Sequence, residues 1–280
     1  MSELVKEIIK AIIFGIVEGV TEWLPVSSTG HMIILNNLIH LNVTPEFYEF
    51  FEVVIQLGAI LAIVIVLWKK IWPWGFGKTK AETKETFRLW GLMIVGCIPA
   101  GVLGVLFDDF FEEKMHTPIV VAIALIVYGI IFIVMEKTKF GKKTTKELKD
   151  ISFKQALSVG IFQVFSLIPG TSRSGSTIIG GLASGFDRPT IAEFTFILAI
   201  PVMAGASLIK LLKYIKNVGL VFTSTELIIL GVGCGVAFIV SMIVIHSFLK
   251  YVRKHDFQIF GWYRIALGII VILYFSFLAH

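Results

Sequence analysis

Charge is scarce in this chain. Asp, Glu, Lys and Arg make up 16% of its 280 residues, against 56% hydrophobic ones. A soluble domain carries about 25% charged residues, so a water-soluble globule is excluded. Cysteine is scarcer still. The two copies, Cys97 and Cys234, lie in separate apolar segments without metal-ligand spacing, which excludes a disulfide framework and a thiolate metal centre. No small-residue cleavage site follows the first apolar stretch, where Glu18 and Glu22 stand instead, and no cleavable signal is expected. What the chain has is long apolar windows. Leu89–Phe107 and Leu227–Leu249 contain no Asp, Glu, Lys or Arg, Ile119–Met135 is similar, and Phe50–Leu67 has one internal acid, Glu52. About 20 mostly apolar residues cross a bilayer core, so the expected fold class is an all-α polytopic membrane protein. The net charge of +5 then reports orientation and contact with anionic lipid, not nucleic-acid binding.

Two parts of the chain resemble each other. "GIVEGVTEWLPVSST" (Gly15–Thr29) parallels "GIFQVFSLIPGTSRS" (Gly160–Ser174), and "FEVVIQLGAILA" parallels "AEFTFILAIPVMAGA". Cys97 and Cys234 share a "VGC" context, all at an offset of about 140 residues. An internal duplication is expected, with a first repeat over 1–140 and a second over 141–280. Each repeat opens with two apolar pieces around a polar break, read as a re-entrant hairpin at 7–40 and at 153–186. Spans follow near 47–68, 87–107 and 118–136, then near 193–215, 227–249 and 258–279. A hairpin plus three spans crosses the membrane an odd number of times, so the second half enters inverted. Residues 69–85 carry five Lys against two Glu, and 137–154 carry seven Lys against two acids. Those loops are expected on the cytoplasmic side, and the acidic "DDFFEEK" (Asp108–Lys114) on the other. Lys210, Lys213 and Lys216 run against this count. The first hairpin is thus expected to open to the exterior, the second to dip in from the cytoplasm, and the polar turns to meet near the midplane.

The turns carry the chemistry. "PGTSRSGST" (169–177) places Arg173 among Thr171, Ser172, Ser174, Ser176 and Thr177, with Gly170 and Gly175 allowing close approach of backbone N–H groups. A guanidinium fork, hydroxyl donors and a helix restarting near Ser176 make an anion cradle suited to phosphate. In the first turn, Glu18 and Glu22 are four residues apart and share a helix face. Two such carboxylates need a proton or a cation between them, and hard oxygen ligands suit Mg²⁺ or Ca²⁺. Ser28 and His31, in "PVSSTGH", have the spacing of a nucleophile and its base on one helix face, flanked by Ser27 and Thr29. Glu52, Gln56 and Glu193 each interrupt an apolar span, Glu52 and Glu193 at similar places in the two repeats. They are expected either to support the site or to make polar contacts between helices.

"EGVTE", "LPVSSTGHMII" and "PGTSRSGST" together resemble the motifs of the undecaprenyl-pyrophosphate phosphatases of bacteria, also called bacitracin-resistance proteins. The likeness runs over nearly the whole chain. It implies hydrolysis of undecaprenyl pyrophosphate to undecaprenyl phosphate, recycling a lipid carrier for cell-wall synthesis. It also implies a plasma-membrane location, an outward-facing site, a divalent metal, a homodimer as candidate assembly, and bacitracin as a competitor for the substrate without binding to the protein. By motif position, Glu18, Glu22, Ser28, His31, Ser172, Arg173, Ser174 and Thr177 would carry the active-site roles. The competing class is a secondary transporter or flippase for a lipid phosphate or other anion, since inverted repeats with broken helices also serve carriers. The hydroxyl cradle and the Ser28–His31 pair favour phosphoryl chemistry.

Overall fold

The computed structural model describes residues 2–75, 77–115, 117–138, 145–219 and 221–277, with only the backbone at 108, 109, 112 and 113. The carboxylates of the Asp108–Lys114 stretch therefore lie outside the described residues, as do 139–144 of the second lysine-rich loop and the ends of both expected repeats.

Eleven α-helices are present among the described residues: α1 Glu3–Thr21, α2 Ser28–Leu38, α3 Pro45–Val66, α4 Trp68–Ile71, α5 Lys80–Met115, α6 Pro118–Thr138, α7 Phe153–Val164, α8 Arg173–Ala183, α9 Arg188–Asn217, α10 Ser224–Tyr251 and α11 Gln258–Phe277. Local chemistry sets their starts. Thr44 caps α3 with Pro45 behind it, Asp187 caps α9 with Pro189 in its first turn, and capping boxes open α7 (Ser152, Gln155) and α10 (Thr223, Glu226). No strand forms among the described residues beyond one isolated bridge, Thr145 to Phe186. Six helices, α3, α5, α6, α9, α10 and α11, are long and apolar enough to cross a membrane, which makes this a multi-pass membrane protein.

Several boundaries differ from the sequence-based ones. α5 starts seven residues before 87 and α9 five before 193, because their polar first turns stay helical beyond the apolar window. Phe107, at φ −123°, breaks α5 near the expected end of the span. α1 begins at Glu3 and is 19 residues long, so it is no short half-helix. α2 and α8, at 11 residues each, are about 16 Å long, half of a hydrocarbon core.

The packing has a regular pattern. α1 lies on α10 and α7 on α5, α3 touches α10 and α9 touches α5, α3 meets α9, and α6 meets α11. Exchanging α1 for α7, α2 for α8, α3 for α9, α5 for α10 and α6 for α11 maps this set of contacts onto itself. Close helix crossings depend on glycine. A Cβ at Gly15 would lie 2.7 Å from the Gly233 carbonyl oxygen, and one at Gly129 2.6 Å from that of Gly261. Overpacking of this kind costs about 1–3 kcal/mol or more. Gly15→Val or Gly129→Val is therefore expected to lower the thermal unfolding temperature in detergent. Gly101→Val, where a Cβ meets nothing within 4 Å, should leave it unchanged. Equal stability of all three would disprove the tight crossings.

Candidate active site

Both short helices start the same way. Ser27 and Ser172 have φ of 72° and 70°, a region non-glycine residues seldom occupy and which costs of order 1–3 kcal/mol. Each caps its helix by accepting a hydrogen bond three residues on, Ser27 from the Gly30 N–H and Ser172 from the Gly175 N–H. The next residue is the first of the helix: Ser28 in α2, Arg173 in α8. The two turns thus present a hydroxyl and a guanidinium from equivalent positions. α8 starts at Arg173 and not near Ser176, so the arginine sits on the positive end of the helix itself.

Glu22 joins the turns. Its Oε1 accepts from Arg173 Nη2 at 3.0 Å and its Oε2 from the Ser28 hydroxyl at 2.8 Å. The Glu22 and Arg173 side chains are 8% and 10% exposed. Arg173 Nη1 donates to the Thr195 carbonyl at 2.9 Å. Ser174 spans the same gap, donating to the Leu24 carbonyl at 3.2 Å. A cavity of about 210 Å³ opens over this network, lined by Glu22, Ser27, Ser28, Thr29, Ser172 and Arg173 and also by Gln56, Gly170 and Ser166. Ligand cavities for drug-sized molecules run ~300–1,000 Å³, so this one suits a headgroup and not a whole lipid.

Other expected residues face elsewhere. His31 does not reach Ser28: its Nδ1 pairs with the Ser27 carbonyl at 2.8 Å and its Nε2 with the Tyr263 hydroxyl at 2.6 Å, the two rings being stacked. The Ser28–His31 pairing is corrected accordingly. The bend at residues 22–27 brings Glu22 to the hydroxyl, and the histidine ring folds back on its own helix start. Four hydroxyls of the expected cradle serve the scaffold. Thr171 donates to the Phe165 and Ile168 carbonyls, Ser174 is committed to the first turn, Ser176 meets Tyr128, and Thr177 donates to the Arg173 carbonyl and accepts from Thr195. Glu52 accepts from Tyr48 at 2.8 Å and does not line the cavity. Glu193 pairs with Lys70 in a separate lysine-rich cleft. It does not line this cavity.

Glu18, one turn before Glu22, is 1% exposed, and both its carboxylate oxygens are without a hydrogen-bond partner among the described residues. A buried, unpaired carboxylate is costly, and a hard cation would satisfy it. No group of three or more His, Cys, Asp or Glu side chains converges among the described residues. A metal held by Glu18 and Glu22 would thus draw its remaining ligands from substrate and water, as Mg²⁺ commonly does.

Sequence reasoning missed Arg264. It is fully buried in α11 and donates to Pro25 O at 3.1 Å, Gly170 O at 2.7 Å and Thr171 O at 2.9 Å, with its guanidinium 5.4 Å from the Tyr128 ring centroid. One side chain thereby holds the backbones of both turns. The available signal was a lone arginine inside the apolar "GWYRIALGII", since intramembrane charge is functional or structural by default. Arg264→Lys cannot span three carbonyls with a fork. Each buried carbonyl left unpaired costs ~1–3 kcal/mol, so this variant should unfold at a clearly lower temperature than the wild type. Unchanged unfolding would show that the clamp is dispensable.

The fold and site define a class: a multi-pass helical membrane protein in which two turns meet in a small cavity lined by Glu22, Arg173 and hydroxyl groups. Residues 11–270 match the family model described as bacitracin resistance protein BacA, and the chain belongs to that family. It is 55% identical over 257 residues to an undecaprenyl-diphosphatase of Enterococcus faecalis, covering 90% of this chain and 91% of the relative. It is 54% identical over 258 residues to the undecaprenyl-diphosphatase of Desulfitobacterium hafniense, covering 91% of each. Undecaprenyl-diphosphatase 1 of Clostridioides difficile is 52% identical over 255 residues, covering 91% of each.

Proposed function

We propose that this protein is an integral membrane phosphatase that hydrolyses undecaprenyl pyrophosphate to undecaprenyl phosphate and inorganic phosphate. The observation that carries the reading is the Ser28–Glu22–Arg173 network across the two turns, in a chain whose relatives at 52–55% identity bear the name undecaprenyl-diphosphatase. Arg173 and the N-terminal ends of α2 and α8 bind the diphosphate oxygens and stabilise charge that develops on them. Ser28 Oγ attacks the terminal phosphorus and passes its proton to Glu22 Oε2. The bond to the bridging oxygen breaks, and the lipid monophosphate leaves. Water then cleaves the phosphoserine and releases phosphate, with Glu22 handling the proton. His31, fixed by Ser27 O and Tyr263, holds the start of α2 beside the reacting hydroxyl. A divalent cation, Mg²⁺ or Ca²⁺, bound by Glu18 and Glu22 would supply further neutralisation of the diphosphate.

The two halves form an inverted-topology repeat with re-entrant turns, a reading supported by the self-mapping helix contacts and by the paired positive-φ serine caps. The protein sits in the bacterial plasma membrane with the cavity open to the exterior, a reading that rests on the lysine-rich loops. The lipid tail stays in the bilayer, and bacitracin competes for the substrate alone.

Phosphate release from undecaprenyl pyrophosphate by purified protein in detergent tests the reading. Ser28→Ala should lower turnover roughly 10³-fold or more. Glu22→Gln, which keeps the hydrogen bond but cannot take the proton, should lower it roughly 10²–10⁴-fold. Near-normal turnover by either variant would refute this chemistry. Chelation should abolish turnover and added Mg²⁺ or Ca²⁺ restore it, whereas chelator-resistant turnover would remove the metal from the account.

A further inference from the structure

A second cleft, rich in charged side chains, lies away from the site just described. It has a volume of about 620 Å³ and is walled by α4, the start of α5, the segment 146–149, the first turn of α9 and Arg253. Seven cations line it (Lys69, Lys70, Lys78, Arg88, Lys146, Lys149, Arg253) against four carboxylates (Glu82, Glu85, Glu147, Glu193), an excess of three positive charges. Much of this charge is already engaged. Lys70 pairs with Glu193 and Lys149 with Glu147. Arg88 donates to the carbonyls of Lys149 and Ile151, and Lys78 to Trp72 O and Thr86. Lys69, Lys146 and Arg253 are exposed and have no hydrogen-bond or ion-pair partner among the described residues.

Two further observations give the cleft a depth and a neighbour. Trp68 stacks on Trp72 with centroids 4.5 Å apart, and Trp74 packs edge-on against Trp72 and Trp90. Trp68 and Trp74 are 45% and 61% exposed. Exposed tryptophans collect at the headgroup level of a bilayer, so Lys69 and Lys70 sit there too. An apolar groove of about 630 Å³ formed by Ile65, Val66, Leu67 and Trp68 runs up to the same Lys69 and Lys70. A polar cleft and an apolar groove that share two lysines have the shape of one amphiphile.

We infer that this cleft and groove bind an anionic glycerophospholipid of the surrounding bilayer: its phosphodiester among Lys69, Lys146 and Arg253, its chain along Ile65–Trp68. The carboxylates decide the headgroup. Glu82, Glu85 and Glu147 would repel a phosphomonoester dianion, but they can accept hydrogen bonds from the hydroxyls of a polyol headgroup on a singly charged phosphodiester. The site is independent of the hydrolytic one.

Native mass spectrometry of the purified full chain tests this, with phosphatidylglycerol as the probe. The comparison is with phosphatidylcholine, with dodecyl phosphate, and with glycerol 3-phosphate as a soluble competitor. Wild-type protein should retain one phosphatidylglycerol in preference to phosphatidylcholine, glycerol 3-phosphate should not displace it, and dodecyl phosphate, which the hydrolytic cavity also takes, should be retained alike by wild type and the variant below. The Lys69→Ala/Lys146→Ala/Arg253→Ala variant should bind it about a hundredfold more weakly, with phosphate release from the lipid diphosphate unchanged. Should that variant not fold, Lys69→Ala alone should weaken binding about fivefold. Equal retention of phosphatidylglycerol by wild type and the variant that folds, equal retention of phosphatidylcholine, a loss of dodecyl phosphate from that variant as large as its loss of phosphatidylglycerol, or displacement by glycerol 3-phosphate would each overturn the assignment.

Discussion

One buried ion pair organises this molecule. Glu22 comes from the first turn and Arg173 from the second, 151 residues away in the chain. Neither charge is tolerable alone when so buried, because removing one partner of a buried pair costs about 3–5 kcal/mol. The pair therefore pins the two breaks against each other. Arg264 reinforces the same junction from behind through carbonyls of both turns. With their backbones fixed, the turns can aim Ser28 and Arg173 into a common cavity.

The two turns are alike in backbone and unlike in chemistry. Ser27 and Ser172 share a strained φ and the same capping bond, yet the residue that follows is a hydroxyl in one turn and a fixed cation in the other. Upstream, Glu18 in one half stands where Gln163 stands in the other. Gln163 is fully buried and donates weakly to Gly96 O at 3.4 Å, a helix-to-helix contact. Two turns of one backbone shape thus bring a carboxylate and a hydroxyl from one segment against a guanidinium from the other. The strain at both serines fits this division, since backbone held in sparsely populated regions clusters where geometry must be fixed in advance.

The spans were legible because hydropathy reports burial in lipid. α3, α6, α10 and α11 start within three residues of the apolar windows. α5 and α9 ran longer because a helix does not end where its apolar face ends. Ser28, Glu22 and Arg173 were legible because charge and hydroxyls are expensive inside an apolar stretch. Their connections were not. The Ser28–His31 spacing is a helical one, but Ser28 opens the helix, and the non-helical bend before it hands its hydroxyl to Glu22 instead. The scaffold roles of Thr171, Ser176 and Thr177 depend on partners far along the chain, such as Tyr128 and Thr195. Arg264 carries no motif at all, and Glu193 takes the second of its two expected roles, a polar contact between helices, with Lys70 of α4.

The claim that a single cavity is built from both turns is tested most directly by an experimentally determined structure of the protein with a non-hydrolysable lipid diphosphonate. The account predicts the terminal phosphorus facing Ser28 Oγ, with Arg173 on its oxygens. A diphosphonate held by residues of one turn alone, or bound with Ser28 and Arg173 on opposite water-facing surfaces, would contradict it.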